Sequence, residues 1–362
     1  MASSENKKSA LQETKSDPSL NLSQASAEKI KALRRKPKDI DALIRGILHG
    51  NKTDLSQGIT LIESQSKRHS NDIKKLISSC LPYSNKSLRI GITGVPGVGK
   101  STFIEQLGLY LVSQGHKVAV LAVDPSSTVS RGSILGGKTR MENLVQKPQA
   151  YIRPTASGDS LGGVARKTRE SILICEAAGY DVLLIETVGV GQSETAVHSM
   201  TDFFLLLKLA GAGDELQGIK RGIIEMADAI VINKADGENV KAAKKAKVEF
   251  NRALHMYPAK SNGWNPKVKL ASALKNEGID KVWGMLLNYF SVTKNNGFFE
   301  EKRANQNKFW LTQTIEDSLK KEFYQNEKIK AEFPKVLSKI QHNSLNPFEA
   351  AEYLLKKANS TT

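Results

Sequence analysis

Cysteine is nearly absent from the 362-residue chain: Cys80 and Cys175 are the two, and both sit within apolar helical spacing. A disulfide framework is thereby excluded, and the pair reads as buried thiols of a reducing compartment. The six histidines are scattered and join no cluster with the cysteines, so no soft-metal cargo site is written in the chain. No apolar run approaches the ~18 residues that a membrane span needs. The start, Met1-Ala-Ser-Ser-Glu-Asn-Lys-Lys, lacks an apolar segment, and Glu5, Glu13 and Asp17 do not suit an acid-poor transit peptide. A cytoplasmic location without a membrane partner is the expectation. Acids are outnumbered, 37 against 53 Lys and Arg, for a formal net charge of +16. The bases are nevertheless dispersed: Lys241 to Lys247 and Lys320-Lys321 fall at helical spacing among acids and alanines, with no aromatic interleaving to stack bases. This predicts a solvated basic surface and no nucleic-acid partner, and is compatible with attraction to phosphate-bearing molecules such as CoA esters.

What is present is more specific. Residues 91–102 read Gly-Ile-Thr-Gly-Val-Pro-Gly-Val-Gly-Lys-Ser-Thr and contain G-x-x-x-x-G-K-[ST] complete from Gly94 to Ser101. The apolar run Leu88-Arg89-Ile90-Gly91-Ile92 precedes it, and Phe103, Ile104, Leu107 and Leu111 follow on one helical face. The motif therefore falls between a strand and a helix, where it binds phosphate. The loop Gly94, Val95, Pro96, Gly97, Val98, Gly99 turns backbone N–H groups around phosphate oxygens, and the helix start through Thr102 adds partial positive charge. Lys100 reaches the β- and γ-phosphates, and the Ser101 hydroxyl is placed to ligate Mg²⁺. A nucleoside triphosphate site is predicted.

The base is addressed by Ala229-Ile-Val-Ile-Asn-Lys-Ala-Asp236, which puts Asn233, Lys234 and Asp236 directly after an apolar strand. An aspartate there accepts two hydrogen bonds from guanine N1–H and its amine. Adenine would leave it unpaired, so discrimination can reach about 10⁴-fold. Downstream, Ser272, Ala273 and Leu274 form the small loop that in GTPases lets a backbone N–H meet guanine O6. A third strand, Val182-Leu-Leu-Ile185, ends in Glu186-Thr-Val-Gly189, the arrangement that holds Mg²⁺ directly or through water and senses the γ-phosphate. Most GTPases use aspartate there; whether the longer Glu186 touches the metal, its water or the attacking water is open.

Along the chain, residues 1–37 are polar and free of aromatics and read as disordered or only partly helical. Residues 38–87 predict three amphipathic helices, the first with Ile40, Leu43, Ile44, Ile47 and Leu48 on one face. Over 88–290, strands at Val118 to Val123, Val182 to Ile185, Phe203 to Leu207, Ile230 to Ile232 and Val268 to Ala271 alternate with helical patterns. That alternation implies βαβ units and a mostly parallel sheet covered by helices on both faces. Residues 298–362 predict a charged helical arm with too few apolar residues for its own core. Phe309, Trp310, Ile315 and Leu319 would find burial on the main domain or in a second copy, which makes the arm a dimerisation element.

With these motifs the sequence resembles the methylmalonyl-CoA mutase-associated GTPases, the MeaB/ArgK type, over about Ile40 to Phe290. Besides the two nucleotide motifs, the carrying residues are Asp124-Pro-Ser-Ser127, Arg131-Gly-Ser-Ile-Leu-Gly136, Leu161-Gly-Gly-Val-Ala-Arg166, Glu186-Thr-Val-Gly-Val-Gly-Gln-Ser-Glu194 and Asp214-Glu-Leu-Gln-Gly-Ile-Lys220. The resemblance implies an α/β P-loop NTPase fold with an N-terminal helical extension and a C-terminal helical arm. It also implies a homodimer that hydrolyses GTP with Mg²⁺. Its implied role is to chaperone an adenosylcobalamin-dependent acyl-CoA mutase, gating cofactor loading and protecting the mutase. Lys100, Glu186, Lys220 and Asp214 would serve hydrolysis, with the 214–220 segment a switch, and Ser101, Asp124 and Glu186 would hold the metal. Gly137 stands where the family usually has aspartate, so either Asp124 suffices with Ser101 and Glu186, or intrinsic hydrolysis is weakened. The alternatives are a metal-delivery GTPase, which would need a Cys/His cluster, and a kinase of a periplasmic amino-acid transport protein, a label this family has also carried.

Overall fold

The computed structural model describes residues 39–64, 66–123, 141–154, 161–187, 193–211, 221–258 and 260–359. Seven strands form one sheet: β1 (Leu88–Gly94), β2 (Val118–Val123), β3 (Ala150–Pro154), β4 (Val182–Thr187), β5 (Phe203–Lys208), β6 (Ala229–Ile232) and β7 (Lys267–Leu270). Their spatial order is β3-β2-β4-β1-β5-β6-β7, and every neighbouring pair is parallel. Runs such as Val-Ala-Val-Leu-Ala-Val in β2 are apolar on both faces because helices cover both sides of a parallel sheet. From β1 the chain crosses to β2 on one side, and after β4 it crosses past β1 to β5 on the other. This reversal puts the carboxyl end of β1 at the crevice where such sheets bind ligands.

The helices are α1 (Ile40–Leu48), α2 (Lys52–Glu63), α3 (Ser70–Cys80), α4 (Lys100–Ser113), α5 (Glu142–Val145), α6 (Leu161–Ala177), α7 (Ser193–His198), α8 (Arg221–Met226), α9 (Val240–His255), α10 (Ile279–Asn295), α11 (Phe298–Gln325), α12 (Glu327–Gln341) and α13 (Pro347–Asn359). One face of the sheet, through Ile90, Ile92 and Leu184, packs on Phe103 and Leu107 of α4 and Leu286 of α10. The other face, through Leu121, Leu183 and Ile185, packs on α6 and on Ile47, Leu55, Ile59 and Leu76 of α1 to α3. The N-terminal helices thus share the core of the sheet rather than forming one of their own. Each such fully buried aliphatic side chain contributes about 1.5–3 kcal/mol. Cys80 and Cys175 lie inside this second core as free thiols, and burial pushes the Cys80 thiol up to about 11.

Two features depart from the sequence expectations. Strand β3 was not among the predicted strands: it is five residues long, carries Arg153 and ends in Pro154, a composition that only a sheet edge tolerates. The tail also differs. Ile329, Val336, Ala350 and Leu354, with Phe323, Phe333 and Ile340 against them, form a small core of the tail itself. Three short helical faces converge there, each too sparse to read as a core in one dimension. Trp310 takes the first of the two burials expected for it, on the main domain: it is buried beside α6, its indole N–H donates to Ser199 O at 3.2 Å, and Arg169 lies over the ring at 5.6 Å. Phe309, Ile315 and Leu319 remain exposed. Pro334 stays within α12 instead of breaking it.

Candidate nucleotide site

At the carboxyl end of β1 the chain turns through Val95 to Gly99 and enters α4 at Lys100. Gly99 has φ 90°, and a Cβ there would lie 2.8 Å from Asn233 Nδ2, so both backbone conformation and close approach require glycine. Val98 is fully buried and pins the loop from below, while Val95, Pro96 and Gly97 face outward. Buried Lys100 donates through Nζ to Gly94 O at 2.7 Å and to Val95 O at 3.3 Å. One residue on, Ser101 Oγ donates to Glu186 Oε1 at 3.0 Å. Glu186 comes from β4, where it stands in register with Ile92 of β1, so sheet pairing sets that distance. Thr102 continues the first turn of α4.

Asn233 fastens the site together. Its buried side chain donates to Val98 O at 2.9 Å and accepts from Ala273 N at 3.2 Å, so one amide spans the phosphate loop, the segment after β6 and the loop after β7. Lys234 reaches back to donate to Gly97 O at 2.9 Å. Its φ of 56° is left-handed, at a cost of roughly 1–2 kcal/mol for a side-chain-bearing residue. Asn239 Nδ2, at 2.7 Å from Lys234 O, and Ala235 N, at 3.1 Å from Ala271 O, hold that turn. The Asp236 carboxylate accepts a hydrogen bond from Ser272 Oγ, which itself accepts from Lys275 N at 3.1 Å. That leaves Asp236 half-buried at the rim, beside a Leu274 that is 78% exposed.

The structure therefore brings together Lys100, Ser101, Glu186, Asn233, Lys234, Asp236, Ser272 and Ala273. Asp124, Asp214, Lys220 and Gly137 lie outside the described residues. The sequence did not single out Asn239, whose amide is legible only as a helix-start residue. It also passed over the hydroxyl pair of Thr93 and Thr187, Oγ1 to Oγ1 2.9 Å. Neither carries a motif of its own; strand register and loop closure decide both.

A phosphate loop at the reversal point of a parallel sheet, faced by an Asn-Lys-x-Asp rim, defines a P-loop GTPase. The family described as methylmalonyl Co-A mutase-associated GTPase MeaB matches residues 55–328, and the chain belongs to it. GTPase ArgK of Escherichia coli is 44% identical over 84% of this chain and 92% of its own. A methylmalonic aciduria type A homolog, mitochondrial, of Mus musculus is 42% identical over 89% of this chain and 80% of its own. A crystal structure of a LAO/AO transport system kinase superposes with a TM-score of 0.73 at 36% identity, covering 90% of this chain and all of that one. Among the described residues no helix is long and apolar enough to cross a membrane, and no group of three or more His, Cys, Asp or Glu side chains is placed to hold a metal ion.

Proposed function

We propose that this GTPase is a nucleotide-driven chaperone of an adenosylcobalamin-dependent acyl-CoA mutase, gating cofactor loading and protecting the mutase from inactivation. Membership of a mutase-associated family carries the reading. The site supports a guanine-specific engine for it. Asp236, aimed by Ser272, recognises guanine, with Asn233, Lys234, Ala273 and Leu274 forming the rest of the base pocket. Gly94 through Thr102 take the phosphates, with Lys100 at the β- and γ-oxygens. Ser101 and Glu186 offer hard oxygens at a separation of 3.0 Å, a donor set that suits Mg²⁺, with Asp124 as a third oxygen. The bound ion would neutralise charge on the phosphates during hydrolysis. Asp214 and Lys220 act as the switch toward the partner. The GTPase unit spans 88–290, preceded by the 38–87 helices, and the exposed Phe309, Ile315 and Leu319 of the 298–362 arm meet a second copy.

The deciding experiment measures GTP turnover by the purified chain with and without a purified methylmalonyl-CoA mutase. The mutase should bind the chain and change turnover, and Lys220→Ala should abolish that change while leaving GDP affinity intact. Absence of both binding and stimulation would overturn the chaperone reading. Phosphate appearing on a transport protein rather than in solution would instead favour a kinase.

A further inference from the structure

β1 and β4 lie side by side in the middle of the sheet, and their carboxyl ends lead into the phosphate loop and the segment after Glu186. Because Ile92 pairs with Glu186, the next rung sets Thr93 beside Thr187. Thr187 Oγ1 donates to Thr93 Oγ1 at 2.9 Å, and both residues are buried. Side chains alternate along a strand, so Glu186 and Thr187 serve opposite faces. Glu186 meets Ser101 on the α4 face. On the other face lies α7, whose Val197 approaches Gly91 two residues before Thr93: a Cβ on Gly91 would sit 3.0 Å from Val197 Cγ1.

The end of β4 is thus fastened to the phosphate loop twice, once from each face. Glu186 holds the helix after the loop, and Thr187 holds the strand before it. Packing does not account for the two threonines, since valine has the same shape and would bring no polar atom into the buried interior. A hydroxyl pair does what two methyls cannot: it sets one preferred separation and direction between the strand ends.

We propose that Thr93 and Thr187 are a positioning pair for GTP hydrolysis. Their bond fixes the end of β4 against the end of β1 and so holds the Glu186 carboxylate in place relative to Ser101. The proposal rests on the assignment of Glu186 to the metal and γ-phosphate end of the site.

The test uses the full chain and five variants: Thr93→Val, Thr187→Val, the double variant, Thr187→Ser and Glu186→Gln. Each threonine-to-valine change should lower kcat about tenfold, equivalent to about 1.4 kcal/mol of barrier. KM for GTP and the Kd for GDP should stay within about twofold, the pattern of an interaction that matters in the transition state. Thr187→Ser, which keeps the hydroxyl, should recover to within about threefold of the natural protein. The double variant should be no slower than the slower single, because the one bond is lost only once. Unchanged kcat in both singles, multiplicative losses in the double, or a parallel fall of kcat, GDP affinity and thermal stability would each overturn the pairing. Glu186→Gln separates the two levels. If its turnover is unchanged, the assignment of Glu186 is wrong; if it is slow while the threonine variants are normal, the pairing alone is refuted.

Discussion

Arg303→Met should release the front half of α11 from the body of the protein without touching the nucleotide site. Arg303 donates through Nε to Asp202 Oδ1 at 2.9 Å and through Nη2 to Asp202 Oδ2 at 2.8 Å, and it also donates to the carbonyls of Asn85 and Ser87. Its guanidinium lies over the Phe299 ring at 4.3 Å. Asp202 is 1% exposed. Once the arginine is gone, its Oδ2 still accepts from Arg89 N at 2.8 Å, but its charge has lost a bidentate partner in a place water does not reach. Removing one member of a buried pair costs about 3–5 kcal/mol, because the other charge stays behind uncompensated. Asp202→Asn added to Arg303→Met removes that charge and should recover at least about 1 kcal/mol of the loss. Urea denaturation followed by fluorescence measures all three proteins, and calorimetry with GDP should show unchanged affinity. The contact lies at the amino ends of β1 and β5, away from the loops. A loss below about 1 kcal/mol, or a double variant no more stable than the single, would refute the uncompensated-charge account.

Asp236→Asn should weaken GTP binding and raise affinity for xanthosine triphosphate, which has a carbonyl where guanine has its amine; equal ATP and GTP affinity in the natural protein would sink the guanine assignment. Lys100→Ala should lose roughly 2–4 kcal/mol of triphosphate binding or transition-state stabilisation, read from GTP kinetics and calorimetry. His198, packed edge-on against Phe204, is held down to about 4, first by burial and then by Lys302. The unfolded chain takes up that proton near pH 6.5, so stability should fall as pH drops from about 6.5 to 4, by at most about 3 kcal/mol from this one group. His198→Asn should flatten the profile in that window, and an unaltered profile would show that the ring stays solvated.

The elements that could be read in advance are those whose signal is local. A glycine-rich turn with Lys100-Ser101, set between an apolar strand and an amphipathic helix, points to phosphate binding. The near-continuous apolar runs of β2, β4 and β5 already demand a parallel sheet covered on both faces. Asn-Lys-x-Asp after β6, together with Ser272-Ala273-Leu274, points to guanine through the chemistry of a single carboxylate. What stayed illegible depends on partners far away in sequence. Short β3 is a strand because β2 offers it an edge. Trp310 is buried because the second core beside α6 takes it in, with Ser199 and Arg169 meeting its ring, and the tail has a core because three sparse faces converge. The same holds within the site. Amino-acid order supplies Asn233, Ser272, Glu186 and Thr187 as residue types at strand ends. Only the strand order, with β4 and β5 on either side of β1, decides that Asn233 reaches Val98, that Ser101 meets Glu186 and that two threonines 94 positions apart share a hydrogen bond. A chain written in one dimension specifies which groups are available, and parallel pairing in three decides which of them touch.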